Sequence, residues 1–161
     1  MIVLRCVRSL LASITEDDPP ETITPNSALG DWYGKEVHVG FHNPQALFVN
    51  ERTFACVLVP SWEGDISEHF RGAYSTLLRS VELPASVIEK EHRAAAQILF
   101  APTQSKTTLG VLNDAAHCVE AIGHKNPHNP IEDITRWMLD CYITSANDYS
   151  RIEDSIRQAL S

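Results

Sequence analysis

Residues 45–60 read QALFVNERTFACVLVP, two apolar runs that meet at four polar residues, Asn50-Glu51-Arg52-Thr53. Neither run alternates. Strands that are apolar on both faces must be covered on both sides, so this stretch calls for a central hairpin with layers above and below it. The four-residue link suits a hairpin built on a type I turn with Asn at its first position. Pro60 ends the second strand, because proline brings no N–H to a ladder.

The flanking sequence supplies candidate layers. Residues 2–6, IVLRC, read as a first strand, and 7–14 as a short helix with Leu10, Leu11 and Ile14 turned inward. Residues 15–26, TEDDPPETITPN, combine consecutive acids with prolines, which predicts a mobile, exposed loop over about 15–28. Asp31-Trp32-Tyr33 opens a helical turn or enters a strand. Residues 36–42 alternate: Val37, Val39 and Phe41 on one face, Glu36, His38, Gly40 and His42 on the other, as in a half-buried strand. Asp65, answered by Glu68, caps a helix whose stripe is Ile66, Phe70, Tyr74, Leu77, Leu78 and Val81.

Pro84 opens a second helix reaching about residue 97. A strand at 98–101 follows, then a polar loop at 102–108 and a helix over 109–122. GHKNPHN at 123–129 breaks the chain. Asn129-Pro130 caps a helix with Ile131, Ile134, Met138, Cys141 and Tyr142 in its stripe, and Asp148 caps a last one carrying Ile152, Ile156 and Leu160. The expected class is α+β: a mostly antiparallel sheet of four to five strands, helices packed on it, and a helical C-terminal tail. Residues 1–122 form the core domain in this reading, and 123–161 a helical extension packed on it.

Bulk properties narrow the function. At 161 residues, 43% hydrophobic and 21% charged, the chain has the material for one soluble core. No apolar run approaches the roughly 20 residues that span a bilayer. The apolar start is short and interrupted by Arg5 and Arg8, unlike a secretory signal, so a cytoplasmic protein away from membranes is expected. A net charge of −8, with 13 Lys and Arg and no basic run, argues against nucleic acid and suits a basic partner. Cys6, Cys56, Cys118 and Cys141 form no C-x-x-C pair and are read as buried free thiols.

Five segments, in order, carry a resemblance: Met1-Ile-Val-Leu-Arg5-Cys6; Leu29-Gly30-Asp31-Trp32-Tyr33; Leu47-Phe-Val-Asn50-Glu51-Arg52-Thr53; Phe100-Ala-Pro-Thr103; and Leu109-Gly110-Val-Leu-Asn113-Asp114. Together they resemble a family of small uncharacterised bacterial proteins, domain of unknown function 6933, over about residues 1–122. Family members follow the Asn-Asp pair with an aromatic, where this chain has Ala115 and Ala116. If that aromatic shapes a pocket, this chain's pocket is more open. The resemblance implies the order of elements and brings no activity with it.

Candidate site residues each have a structural alternative. Asn113 and Asp114 lie on the 109–122 helix; Asn113 shares a face with Leu109, Leu112 and Ala116, so it either bonds buried backbone, caps the helix, or lines a cleft with Asp114. Asn50, Glu51, Arg52 and Thr53 serve as turn chemistry, or present Arg52 to a carboxylate or phosphate. His38 and His42 share a wet strand face with Glu36, which is a solvated face or an acid–base pair. His117, Cys118, His124 and His128 match no zinc spacing, so no metal is expected. Phosphate loops and G-x-S-x-G elbows are missing from the sequence, and no cofactor is expected.

The resulting expectation is a protein-binding or regulatory module without catalytic activity. It would engage a protein partner, or a second copy through helices carrying Trp137 and Tyr142. The alternative is a hydrolase or nuclease with His38 or His42 as base, Arg52 on an anionic group, and Asn113 and Asp114 for positioning. That alternative requires the 50–53 turn and Asn113-Asp114 to share one concave surface.

Overall fold

The computed structural model describes residues 1–15, 23–41, 44–59, 64–126, 134, 137–138, 142–145 and 148–161, with backbone alone at 142–145 and 148–150. The elements are β1 (Ile2–Cys6), α1 (Arg8–Ile14), β2 (Trp32–Val37), β3 (Gln45–Asn50), β4 (Cys56–Val59), α2 (Ile66–Ser80), α3 (Ala85–Ala95), β5 (Ile98–Pro102), α4 (Lys106–Lys125), β6 (Tyr142–Ser145), β7 (Asp148–Arg151) and α5 (Ile152–Leu160). The α+β class follows directly. Five strands form one sheet in the order β4-β3-β2-β1-β5, and β6 pairs with β7 separately. The β2-β3-β4 half is antiparallel, as the hairpin requires, whereas β1 runs parallel to both β2 and β5. That mixture arises because β1 reaches each parallel neighbour only after a helical excursion.

Both faces of the hairpin are covered. Ala46 and Phe48 of β3 and Val57 and Val59 of β4 face a core closed by Leu10, by Phe70, Tyr74 and Leu78 of α2, and by Ile152, Ile156 and Leu160 of α5. Leu47, Val49 and Cys56 face the opposite core, closed by Leu112, Ala115, Ala116 and Val119 of α4 together with Ile134 and Met138. The last forty residues therefore contribute to both layers. Trp32, fully buried at the sheet centre, meets Phe70 and Tyr74 edge-on at 5.4 and 5.6 Å between ring centroids. Gly34 lies under the Phe48 ring: a Cβ there would stand 2.3 Å from the ring, so this strand position must stay bare.

Several boundaries differ from the sequence reading. β2 spans Trp32–Val37 instead of 36–42. Gly40 takes φ +58°, which breaks the alternation: Val37 and Val39 are buried as expected, but Phe41 is 81% exposed. The long helix starts at Lys106, because the Ser105 side chain accepts from the Thr108 N–H at 3.2 Å and caps it. It runs through Gly123 to Lys125, and Gly123 earns its place by contact instead of by breaking the chain: a Cβ would stand 2.8 Å from the Gly40 nitrogen. Asp148 lies in β7 opposite Ser145, and Arg151, not Asp148, holds the N-cap position of α5. Tyr142 is in β6, not in a helix. Cys118 is exposed, on the side of α4 away from Ala115, Ala116 and Val119. The expected loop at 16–22, His42, His128 and Cys141 lie outside the described residues.

A buried carboxylate ties the lead-in of β2 to the helices. Glu91 of α3 accepts from Ser27 Oγ at 2.7 Å, the Ala28 N–H at 3.2 Å and the Tyr74 hydroxyl at 2.7 Å. Burial, and then the Glu91 charge, push the Tyr74 phenol well above its ordinary pKa. Burial likewise pushes the Cys6 thiol from 9.0 up to about 12. Both groups hold their protons in the folded state beyond the pH at which the unfolded chain releases them, so their contribution is complete below pH 9.0 and is lost as pH climbs towards about 12. Urea midpoints measured between pH 7 and 11.5 should be level up to about pH 8.5 and fall above the free-thiol range; a level midpoint throughout contradicts this assignment.

Candidate functional site

The 50–53 turn is built inward. Asn50 is fully buried, and its amide makes five hydrogen bonds. Nδ2 donates to the carbonyls of Leu29 and Asp31 at 2.9 and 3.1 Å. Oδ1 accepts from the Arg52 and Thr53 N–H groups at 3.1 and 2.9 Å and from Thr53 Oγ1 at 2.9 Å. The turn then closes through Phe54 at φ +55°, whose N–H donates to the Asn50 carbonyl at 3.0 Å. Thr53 is buried with it. Arg52 donates to the Ala28 carbonyl at 2.7 Å and lies along Gly30, so its guanidinium clasps the incoming chain.

Glu51 faces another way. The Tyr33 hydroxyl donates to its Oε1 at 3.5 Å and accepts from the Ser105 N–H at 3.2 Å, which links the turn to the start of α4. Burial raises the Tyr33 pKa, the Glu51 charge adds to the rise, and the Ser105 N–H opposes it. Beside Tyr33 across the β1–β2 ladder lies Arg5. This buried guanidinium pairs with buried Asp31 and donates to the carbonyls of Pro102 and Ile23 at 3.4 and 3.3 Å. Asp31 Oδ1 is buried with no partner among the described residues. The sequence reading singles out none of Arg5, Asp31 and Tyr33 as a site residue. The available signal was the charge inside IVLRC: an arginine in an otherwise apolar central strand must bring its partners with it.

The remaining candidates lie along α4. Asn113 and Asp114 are exposed. The buried stripe centres on Leu112, Ala116 and Val119, and at 100° per residue Asn113 falls about a third of a turn to its side. Its Oδ1 accepts from Lys35 Nζ at 3.0 Å. His38, also exposed, has Nδ1 4.0 Å from Glu36 Oε1, and its backbone N–H donates to Glu120 Oε1 at 3.2 Å. Ser105, Asn113 and Glu120 thus mark three separate levels, spread over about 22 Å of helix at 1.5 Å per residue. The turn meets the first level, Asn113 the second and His38 the third. No hydrogen bond or ion pair among the described residues links Arg52, Asn113 and His38 to one another. No three His, Cys, Asp or Glu side chains among those residues are placed to hold a metal ion. No helix among them is long and apolar enough to cross a membrane. A cavity of about 290 Å³ near Ser13, Ile14, Asp65 and Phe100 touches none of these groups.

The two roles proposed for the turn separate by mutation. Asn50→Ala strands two buried carbonyls and two turn N–H groups, and should lower the unfolding free energy by about 3 kcal/mol. Glu51→Ala should stay within about 0.5 kcal/mol, because that side chain is half-exposed and its one hydrogen bond is long. Urea denaturation of both variants checks this; equal losses contradict it.

Comparison with known proteins places the chain without adding an activity. No curated protein and no solved structure matches it. A family model described as a domain of unknown function (DUF6933) matches residues 3–154. This match runs well past residue 122, so residues 123–154 are part of the family's own domain and not an added tail. With nearly all of its length matched, the chain belongs to the DUF6933 family.

Proposed function

We propose that this protein is a non-catalytic binding module that docks a protein partner at the end of the domain carrying Phe41. The carrying observation is the exposure of Phe41, 81%, the one large apolar side chain so exposed among the described residues. The backbone leading to it is tied to α4 by the His38 N–H on Glu120, and Gly123 lets the Gly40 backbone approach closely. An aromatic side chain has few torsions to freeze on docking, which is why such residues anchor interfaces. Glu36 and Glu120 beside it, and the net charge of −8, favour a basic rim on the partner. Arg52, Asn113 and His38 are engaged with separate partners, Ala28, Lys35 and Glu120, which favours binding over hydrolysis. Exposed, reduced Cys118 fits a cytoplasmic setting.

A photo-crosslinking residue placed at position 41 in the full chain, expressed in cells, should yield a discrete heavier adduct. The same residue at exposed Thr76 on α2 should not. Phe41→Ser should leave the melting temperature within about 2 °C, since the side chain is 81% exposed, while competing for the partner poorly. An adduct at twice the chain mass makes the partner a second copy. Equal labelling from positions 41 and 76 contradicts a docking site at Phe41.

A further inference from the structure

A second surface, remote from Phe41, consists of hydrogen-bond donors. Lys106, Gly110 and Asn113 follow one another at i, i+4 and i+7, so they form a single row on one side of α4. All three are exposed. Lys35 reaches this row from β2, with Nζ 3.0 Å from Asn113 Oδ1. A lysine ammonium has no acceptor, so the amide must turn its oxygen to Lys35 and both of its N–H bonds outward. The row therefore offers two ammonium groups and an amide NH2, with no acceptor among them. Neither Lys35 nor Lys106 has an ion-pair partner among the described residues, in a chain with 21 acids. The nearest acid on the helix, Asp114, follows Gly110 at i+4 and so flanks the row only about 40° from it, one carboxylate against two ammonium groups.

Gly110 sharpens the case. Glycine weakens a helix interior, and it is normally kept for a positive φ or a close approach. Gly110 has neither: a Cβ there would find nothing within 4 Å. The chain thus leaves a bare patch of helix backbone between two unpaired cations. Gly72 of α2 is equally bare, but the cation beside it, Arg71, lies 3.9 Å from Asp65.

Topology points to the same place. Cys6 ends β1 level with Gly34 and Pro102, and Lys35 is one residue beyond that level. From there the chain leaves β1 for α1, whose Leu10 packs in one core, and leaves β5 for α4, whose stripe packs in the other. Neighbouring parallel strands whose connections depart to opposite faces leave a crevice at their carboxyl ends, where open sheets bind small ligands.

We infer that the Lys106–Gly110–Asn113 row, with Lys35 beside it, binds a small phosphate-bearing molecule. Point-charge donors ranged along one side of a helix suit a phosphate oxyanion, and the bare glycine lets it approach the helix. The test titrates the full chain with inorganic phosphate and with phenyl phosphate, read by amide chemical shifts at low salt, with benzoate as the carboxylate arm. Saturable shifts centred on Gly110 and Asn113 are expected for both phosphates, with benzoate at least tenfold weaker. Lys35→Ala should weaken phosphate binding at least tenfold. Gly110→Ala should raise the melting temperature by about 2–4 °C and still weaken binding several-fold, whereas Gly72→Ala should raise it and leave binding unchanged. Benzoate binding as tightly as phosphate, shifts indifferent to Lys35→Ala, or a Gly110→Ala variant that binds normally each overturns the proposal.

Discussion

One buried amide holds together the two halves of this sheet. The chain enters the central strand β2 through residues 23–31, which form no helix or strand, yet Ser27, Leu29 and Asp31 are buried. Covered backbone groups need partners, and regular structure supplies none here. Asn50 supplies two through Nδ2, to Leu29 and Asp31, while its Oδ1 organises the turn between β3 and β4. An aspartate at that position could not donate, and an alanine could do neither. The hairpin and the lead-in to β2 are therefore one unit. The Glu51 N–H on the Asp31 carbonyl at 3.0 Å completes it.

Two buried charges fasten the same segment from other sides. Arg5 pairs with Asp31 from β1, and Glu91 takes the Ser27 hydroxyl and the Ala28 N–H from α3. Removing one member of such a pair costs about 3–5 kcal/mol, because the other is left charged and buried. These interactions specify more than they stabilise. They fix which side of the sheet a loop crosses, and with it the register of the strand that follows. The polar residues of the turn are thereby engaged within the fold. Exposed Phe41 and the exposed flank of α4 lie outside this network.

Much of the fold was legible in the sequence. Runs apolar on both faces identified β3 and β4, and the 3.6-residue stripe identified α2 down to each buried side chain. The failures share a cause: single residues whose effect depends on a distant contact. Ser105 caps α4 only because Tyr33 fixes its N–H, so the polar 102–108 stretch reads as loop when its second half is helix. Gly40 reads as a wet-face strand residue and Gly123 as a breaker, yet they are where α4 and the segment after β2 touch. Asn113 is grouped with the apolar face through Leu109 at i−4, but Leu109 is only half-buried and the stripe runs through Leu112, Ala115, Ala116 and Val119, leaving Asn113 at its side. Arg5 and Lys35 went unweighed as site residues because a lone charge in a strand reveals its partner only in three dimensions.

Hydrogen exchange at the turn tests this account most directly. If Asn50 makes the 50–53 turn part of the core, the Arg52 and Thr53 amides, bonded to its Oδ1, open only when the whole domain unfolds. Their protection in native-state exchange should then match the global unfolding free energy and follow its dependence on denaturant. Exchange within seconds at neutral pH, at the rate of an unprotected surface loop, would show the turn to be peripheral and contradict the account.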